Sequence, residues 1–413
     1  MASTPILDRL KPLPAPQGAV VPDKKKTRLR DIAIVSLVIV GTALWITFMI
    51  ASPYAFKVSQ VLGGWIDRLL PVNSSSVPSV LTVLWYLGVT PLLAISYTLI
   101  IHECGHLLAG LCVNFRLLTI RVGPLEIRPP FRVSLTREFE RGPAGIVKML
   151  PSTTAFLRPR IATMVLAGPA ANLATAILLP RFTGESAISA WLILLSYVIG
   201  ISNLVPFRGK NFDSDGRRLL MLARGGAQPS RQLAILKLVT DFNNEVEPKD
   251  LRPEWIAMAT AIRDDSAQTM MAHLLAYSAA WYRSTVEETG HLLEIVLEHA
   301  KHATGEVRAG LICEAGVFQA RKCGSADLAR EWLADLHKEE QSPVYAVYVE
   351  AAILEAEDNI PRALAKLDEA ENLALALPNG SKKRLKLKWL KRWRSELQTL
   401  PGSVPVSRWS HST

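Results

Sequence analysis

The apolar residues of this chain are gathered into long runs, and all of those runs lie in its first half. Hydrophobic residues make up 49% of 413 positions, an ordinary share for a water-soluble protein, so the average conceals the pattern. Residues 32–51 are long and apolar enough to cross a bilayer, which takes about 20 residues of helix. A second stretch covers 80–113, where Pro91 is an expected tilt or break, and a third and fourth cover 161–180 and 187–206. A chain built this way is expected to form a mainly α-helical, polytopic membrane bundle of about four spans. A cleaved signal peptide fits the first run poorly, because a long proline-rich and basic tail precedes it and no small-residue cleavage site is evident.

The formal charge of +10 could indicate nucleic acid, but the positions of the basic residues give it a topological meaning. The tail at 1–30, expected to be disordered, ends in Lys24, Lys25, Lys26, Arg28 and Arg30. Between the second and third runs stand Arg116, Arg121, Arg128, Arg132, Arg137, Arg141, Lys148, Arg158 and Arg160. After the fourth come Arg208, Lys210, Arg217 and Arg218, whereas residues 52–79 hold only Lys57 and Arg68. With four spans, all three basic segments fall on one side, expected to be the cytosol, with both chain ends there. Nucleic-acid binding is therefore not expected.

Residues 114–136 read as a small cytosolic β-hairpin element. Leu118, Ile120 and Val122 alternate with Thr119 and Arg121, Gly123-Pro124 makes a turn, and Pro124, Pro129 and Pro130 exclude a long helix. A free edge of such a sheet could pair with an extended peptide. Residues 221–398 read as a soluble array of helical hairpins, followed by a disordered tail at 399–413. One hairpin is expected over Pro343–Leu377, broken at Asp358-Asn359, and another over 307–337, broken at Gly324-Ser325. A weaker copy starts near Ala272 and is expected to break near Gly290. The spacing approaches the tetratricopeptide period of about 34 residues. Leu385, Trp389, Trp393 and Leu397 recur every four residues in a basic segment, which suits a capping helix or one lying on a membrane surface. The four cysteines, Cys104, Cys112, Cys313 and Cys323, imply no disulfide framework.

Chemistry concentrates in the second apolar run, at His102, Glu103, Cys104, Gly105 and His106. Two histidines at i and i+4 share one helix face, so both imidazoles can reach one ion, and the glutamate between them can take a proton from water at the ion's open position. A zinc ion lowers the pKa of bound water to about 7, which is what hydrolysis at neutral pH needs. No other histidine occurs before His273, and a Glu with two His in a membrane helix is costly unless it serves a purpose. A third protein ligand is still required. Asn203-Leu204-Val205-Pro206 and then Asp213-Ser214-Asp215-Gly216 follow the fourth run, on the same expected membrane face as His106.

These motifs together resemble the site-2 protease family of intramembrane zinc metalloproteases. That family pairs His-Glu-x-x-His with a later Asn-x-x-Pro…Asp-Gly motif, and Gly168-Pro169-Ala170-Ala171-Asn172 is similar to its Gly-Pro-x-x-Asn helix. The resemblance covers residues from about 80 to 220. It implies one Zn²⁺ per chain held by His102, His106 and Asp215, with Glu103 as general base and Asn203 assisting at the substrate. A few extra residues around Arg208–Phe212 depart from the commoner spacing and leave Asp213 as a rival ligand. By the same resemblance the substrate is a membrane protein, such as an anti-sigma factor or membrane-tethered regulator, and the location a bacterial inner membrane. The helical array is expected to hold a protein or peptide partner. Two other readings are an inactive membrane-anchored scaffold and, with less in its favour, a zinc-dependent transporter.

Overall fold

The computed structural model describes residues 90–129, 132–136, 143–183, 187–209, 212–338, 342–377 and 381–399. The expected first span at 32–51, the tail at 1–30, the start of the 80–113 stretch and residues 400–413 lie outside them. Among the described residues the protein is mainly helical, with a small four-stranded sheet. The chain divides into two compact units, one holding described residues up to Met149 together with Pro159–Leu220, the other holding Leu150–Arg158 and the chain from Met221 onward.

The first unit contains α1 (Thr90–Cys112), α2 (Leu157–Leu178), α3 (Ala187–Leu204) and the start of α4 (Asp215–Arg224). From Pro91 the helix runs on unbroken to Cys112. At its far end Asn114 takes a positive φ of 63°, a conformation asparagine tolerates and one that stops a helix. Arg160 then donates to the carbonyls of Val113 and Asn114 at 2.8 and 2.9 Å, satisfying backbone acceptors that the helix end leaves open. Two helical segments, Thr90–Cys112 and Leu157–Arg181, are long and apolar enough to cross a membrane, and the apolar helix at 189–204 is shorter.

The polarity of this unit is inverted relative to a water-soluble core. Thr98, His102, Glu103, His106, Asn172 and Ser196 are buried, while Leu92, Tyr97, Leu108, Leu166, Ile177 and Ile201 are exposed. An apolar exterior around a polar interior is what a lipid solvent favours.

The sheet is more than the hairpin the sequence indicated. Strands β1 (Phe115–Val122), β2 (Leu125–Arg128), β3 (Arg132–Leu135) and β4 (Gly145–Pro151) run in the order β3-β2-β1-β4. Register pairs Ile120 with Ile127, Arg121 with Glu126, and Glu126 with Ser134. Since side chains alternate, one face carries Leu118, Ile120, Leu125, Ile127, Val133 and Leu135, and the other Thr119, Arg121 and Glu126. Thr119, Arg121 and Glu126 are buried, whereas Leu135 on the opposite face is 80% exposed.

The second unit is a stack of helical hairpins: α7 (Ala267–Arg283) with α8 (Val286–Glu298), α9 (Glu306–Arg321) with α10 (Ala326–Leu336), and α11 (Ser342–Ala356) with α12 (Ile360–Leu375), preceded by α5 (Ala227–Asn243) and α6 (Pro253–Thr260). The first of these breaks at Ser284-Thr285 rather than near Gly290, because the Thr285 hydroxyl caps α8 by accepting from Glu288 N–H. Gly290 lies inside that helix. The last helix, α13 (Ser381–Gln398), buries Leu390, Trp393 and Leu397 in the same apolar core as the hairpins, so its stripe closes the stack. Its basic residues are engaged within the unit: Lys388 and Arg392 with Glu247, Arg384 with Glu245, and Arg394 with Glu371 and Asp368.

Candidate metal centre

One turn of α1 sets the two imidazoles edge to face, with ring centroids 4.7 Å apart. Their Nε2 atoms stand 3.1 Å from each other, and Asp215 Oδ2 lies 3.1 Å from that of His102 and 3.4 Å from that of His106. All three residues are buried, and their donor atoms lie within 4.8 Å of one another, so the group could hold a metal ion. The triangle fits that use in size. A tetrahedral ion with bonds of about 2.0–2.1 Å holds its ligand atoms roughly 3.3 Å apart.

The hydrogen bonds around the triangle are also those of ligands. His106 Nδ1 is 2.8 Å from the carbonyl of Met164, which can only accept, so the proton of the neutral ring sits on Nδ1 and the Nε2 lone pair faces the triangle.

Asp215 arrives there through a loop closed by Ser214. The Ser214 hydroxyl donates to Val205 O at 2.7 Å and accepts from the N–H of Phe207 and of Arg217, the last as an N-cap of α4. Within the loop Arg208 is bridged to Asp213, and Phe207 packs edge to face on Phe212. Asp215 therefore opens α4 inside the site, where a helix N-terminus favours an anion. Asp213 points elsewhere, into an ion pair with Arg217 at 2.9 Å.

Two glycines mark where backbone must come close. A Cβ on Gly168 would sit 2.3 Å from His106 Nε2 and 2.9 Å from His102 Nε2, so the main chain of α2 forms one wall of the centre. A Cβ on Gly145 would sit 2.3 Å from Glu103 Oε1, which puts the edge strand β4 directly against that buried carboxylate. The guanidinium groups of Arg121 and Arg218 are near enough to act on its charge.

Of the residues expected from sequence, His102, Glu103, His106 and Asp215 come together. The Asn203 amide donates to Ile199 O within its own helix. Asn172 takes a place that no role had been assigned to, with Nδ2 3.1 Å from His102 Nδ1. Its position in the Gly-Pro-x-x-Asn segment, one turn after Gly168, was the available signal. Gly145 and Ser214 carried none. No protein-family model, curated protein or solved structure matches this chain.

Proposed function

We propose that this protein is an intramembrane zinc metalloprotease of the site-2 protease type, hydrolysing a peptide bond in or near a transmembrane segment of another membrane protein. The observation that carries the reading is the buried His102–His106–Asp215 triangle beside Glu103, on helices whose exposed faces are apolar. Two imidazoles and a carboxylate with a fourth position left open form the donor set of a hydrolytic zinc site. Zinc bound there supplies a Lewis acid that polarises a peptide carbonyl and acidifies water.

The chain's own residues do the rest. Glu103, adjacent in sequence to a ligand and buried with it, receives the proton water gives up and passes it to the leaving nitrogen as the C–N bond breaks. A transmembrane helix has its backbone hydrogen bonds closed, so it must be unwound before a peptide bond is exposed. Strand β4 offers an edge on which such a segment pairs, and Gly145 brings that edge to Glu103. The rest of the reading is a four-span embedding with both termini cytosolic, a bacterial inner membrane, a membrane-tethered regulator or anti-sigma factor as substrate, and a protein or peptide partner on the helical stack.

The test is co-expression of the full chain, wild type or Glu103→Gln, with candidate membrane-anchored substrates, together with metal analysis of both purified proteins. The expected result is stoichiometric zinc in both and cleavage only by the wild type. Cleavage that survives Glu103→Gln would sink the mechanism, and bound zinc without any cleavage would favour the scaffold reading.

A further inference from the structure

Behind His102, at the junction of three helices, sit three polar side chains with nothing to bond. Thr98 on α1, Asn172 on α2 and Ser196 on α3 are each 0% exposed, and Thr98 Oγ1, Asn172 Oδ1 and Ser196 Oγ have no hydrogen-bond partner among the described residues. Thr98 is one turn before His102, whose ring touches the Asn172 amide. Asn172 Cβ is 3.3 Å from where a Cβ on Gly200 would stand, and Ser196 is one turn before Gly200. A buried oxygen left unsatisfied is costly, and one beside a histidine of the metal centre calls for an explanation.

The contact to His102 has a chemical consequence. With the amide nitrogen facing Nδ1, the Asn172 N–H donates, Nδ1 holds the lone pair, and the proton of a neutral ring sits on Nε2. Nε2 is the atom that points into the triangle, and with a proton on it that atom cannot be a ligand. The oxygen and nitrogen ends of an amide fill the same volume, so turning the group over changes no packing. In the turned orientation Oδ1 accepts from Nδ1–H, and the Nε2 lone pair of His102 faces the ion. His106 already has this arrangement through Met164 O at 2.8 Å.

We propose that Asn172 is a positioning residue of the metal centre: its carbonyl oxygen holds the proton of His102 on Nδ1. One rotation pairs the orphaned Asn172 Oδ1 and gives both histidines the tautomer a metal requires. The inference rests on the metal reading of the site but not on proteolysis.

The experiment measures zinc retention by the purified full-length protein against a graded chelator, with the absorption spectrum of the cobalt-substituted protein as a second readout. Losing an outer partner of a ligating histidine weakens metal binding about 10- to 100-fold. Asn172→Leu, matched in size, should show that loss and an altered cobalt spectrum. Asn172→Asp, which can only accept, should stay within a few-fold of wild type and keep its spectrum. Thermal unfolding of the metal-free proteins separates a lost ligand geometry from a lost fold, and Asn172→Asp carries the test if the leucine variant does not fold. Wild-type affinity in Asn172→Leu would overturn the proposal, as would an Asn172→Asp protein as impaired as the leucine one. A wild-type protein that takes up no metal would overturn this inference and the protease reading together. Bound metal without proteolysis would sink only the latter.

Discussion

Asp215 Oδ2 stands 3.1 Å from His102 Nε2, although 113 residues separate the two in the chain. Asp213, two positions earlier, is turned away to Arg217. This difference in direction makes the two aspartates distinguishable by experiment. Asp215→Ala should abolish metal retention, whereas Asp213→Ala should keep full stoichiometry and lose less than about 1 kcal/mol of stability, the worth of a partly exposed ion pair. Asn203→Ala should also keep its metal, since that amide bonds within its own helix. Elemental analysis of the three purified variants decides the matter, and metal lost from Asp213→Ala but not from Asp215→Ala would reverse the assignment.

The two glycine contacts predict opposite phenotypes. Gly168→Ala inserts a methyl against both imidazoles and should lower metal occupancy. Gly145→Ala presses on the Glu103 side chain and should leave occupancy intact while lowering cleavage at least tenfold, since a displacement of about 1 Å costs up to 100-fold. Metal analysis and cleavage measured side by side would show whether the two effects separate in this way.

In the helical stack, Arg231 is 2% exposed and donates to both carboxylate oxygens of Asp264, to Ile262 O, and to Gln228 and Gln268. These bonds fix the turn between α6 and α7. Asp264 is more than a third exposed, so water recovers part of what a missing guanidinium would cost. Arg231→Met should lose about 2 kcal/mol, with hydrogen exchange quickening first at 261–269. Unchanged exchange there would show that the turn holds without the cluster.

Acid should loosen the last helix before the rest of the stack. Hydrogen bonds from Lys388 and then Arg392 hold the Glu247 carboxyl down at about 2, against 4.5 for an ordinary glutamate. A group depressed in the folded state contributes its stability above the unfolded value and loses it as pH falls toward the folded one. The attachment of α13 should therefore be constant above pH 4.5 and weaken between about 4.5 and 2. Proteolysis or exchange at 381–398 as a function of pH reads this directly, and Glu247→Gln should remove that acid-dependent step.

How much of this could be read from sequence follows from the range of each interaction. His102 and His106 face one way because four residues make about one helical turn, a fact of the backbone alone. Alternation at Leu118–Val122 likewise foretold β1, and Asp358-Asn359 foretold the end of α11, because turn chemistry is local. The strands at Arg132–Leu135 and Gly145–Pro151 were not legible, since they are strands by virtue of what they pair with. For the same reason Gly145 gave no sign of lying against Glu103.

The sequence by itself determined that two imidazoles and a glutamate would share a turn of an apolar helix, and that an Asp-Gly pair would follow another apolar helix. Only the tertiary structure decided which aspartate completes the triangle and which asparagine touches it. Asp213 and Asp215 differ by two residues, and the Ser214 hydroxyl, through bonds to Val205, Phe207 and Arg217, is what turns one inward and the other out. Asn172 and Asn203 both lie on apolar helices, and Asn172 reaches His102 because Gly105 and Gly168 let α1 and α2 approach backbone to side chain. Distances of that kind depend on how separate helices pack, which no local run of residues encodes.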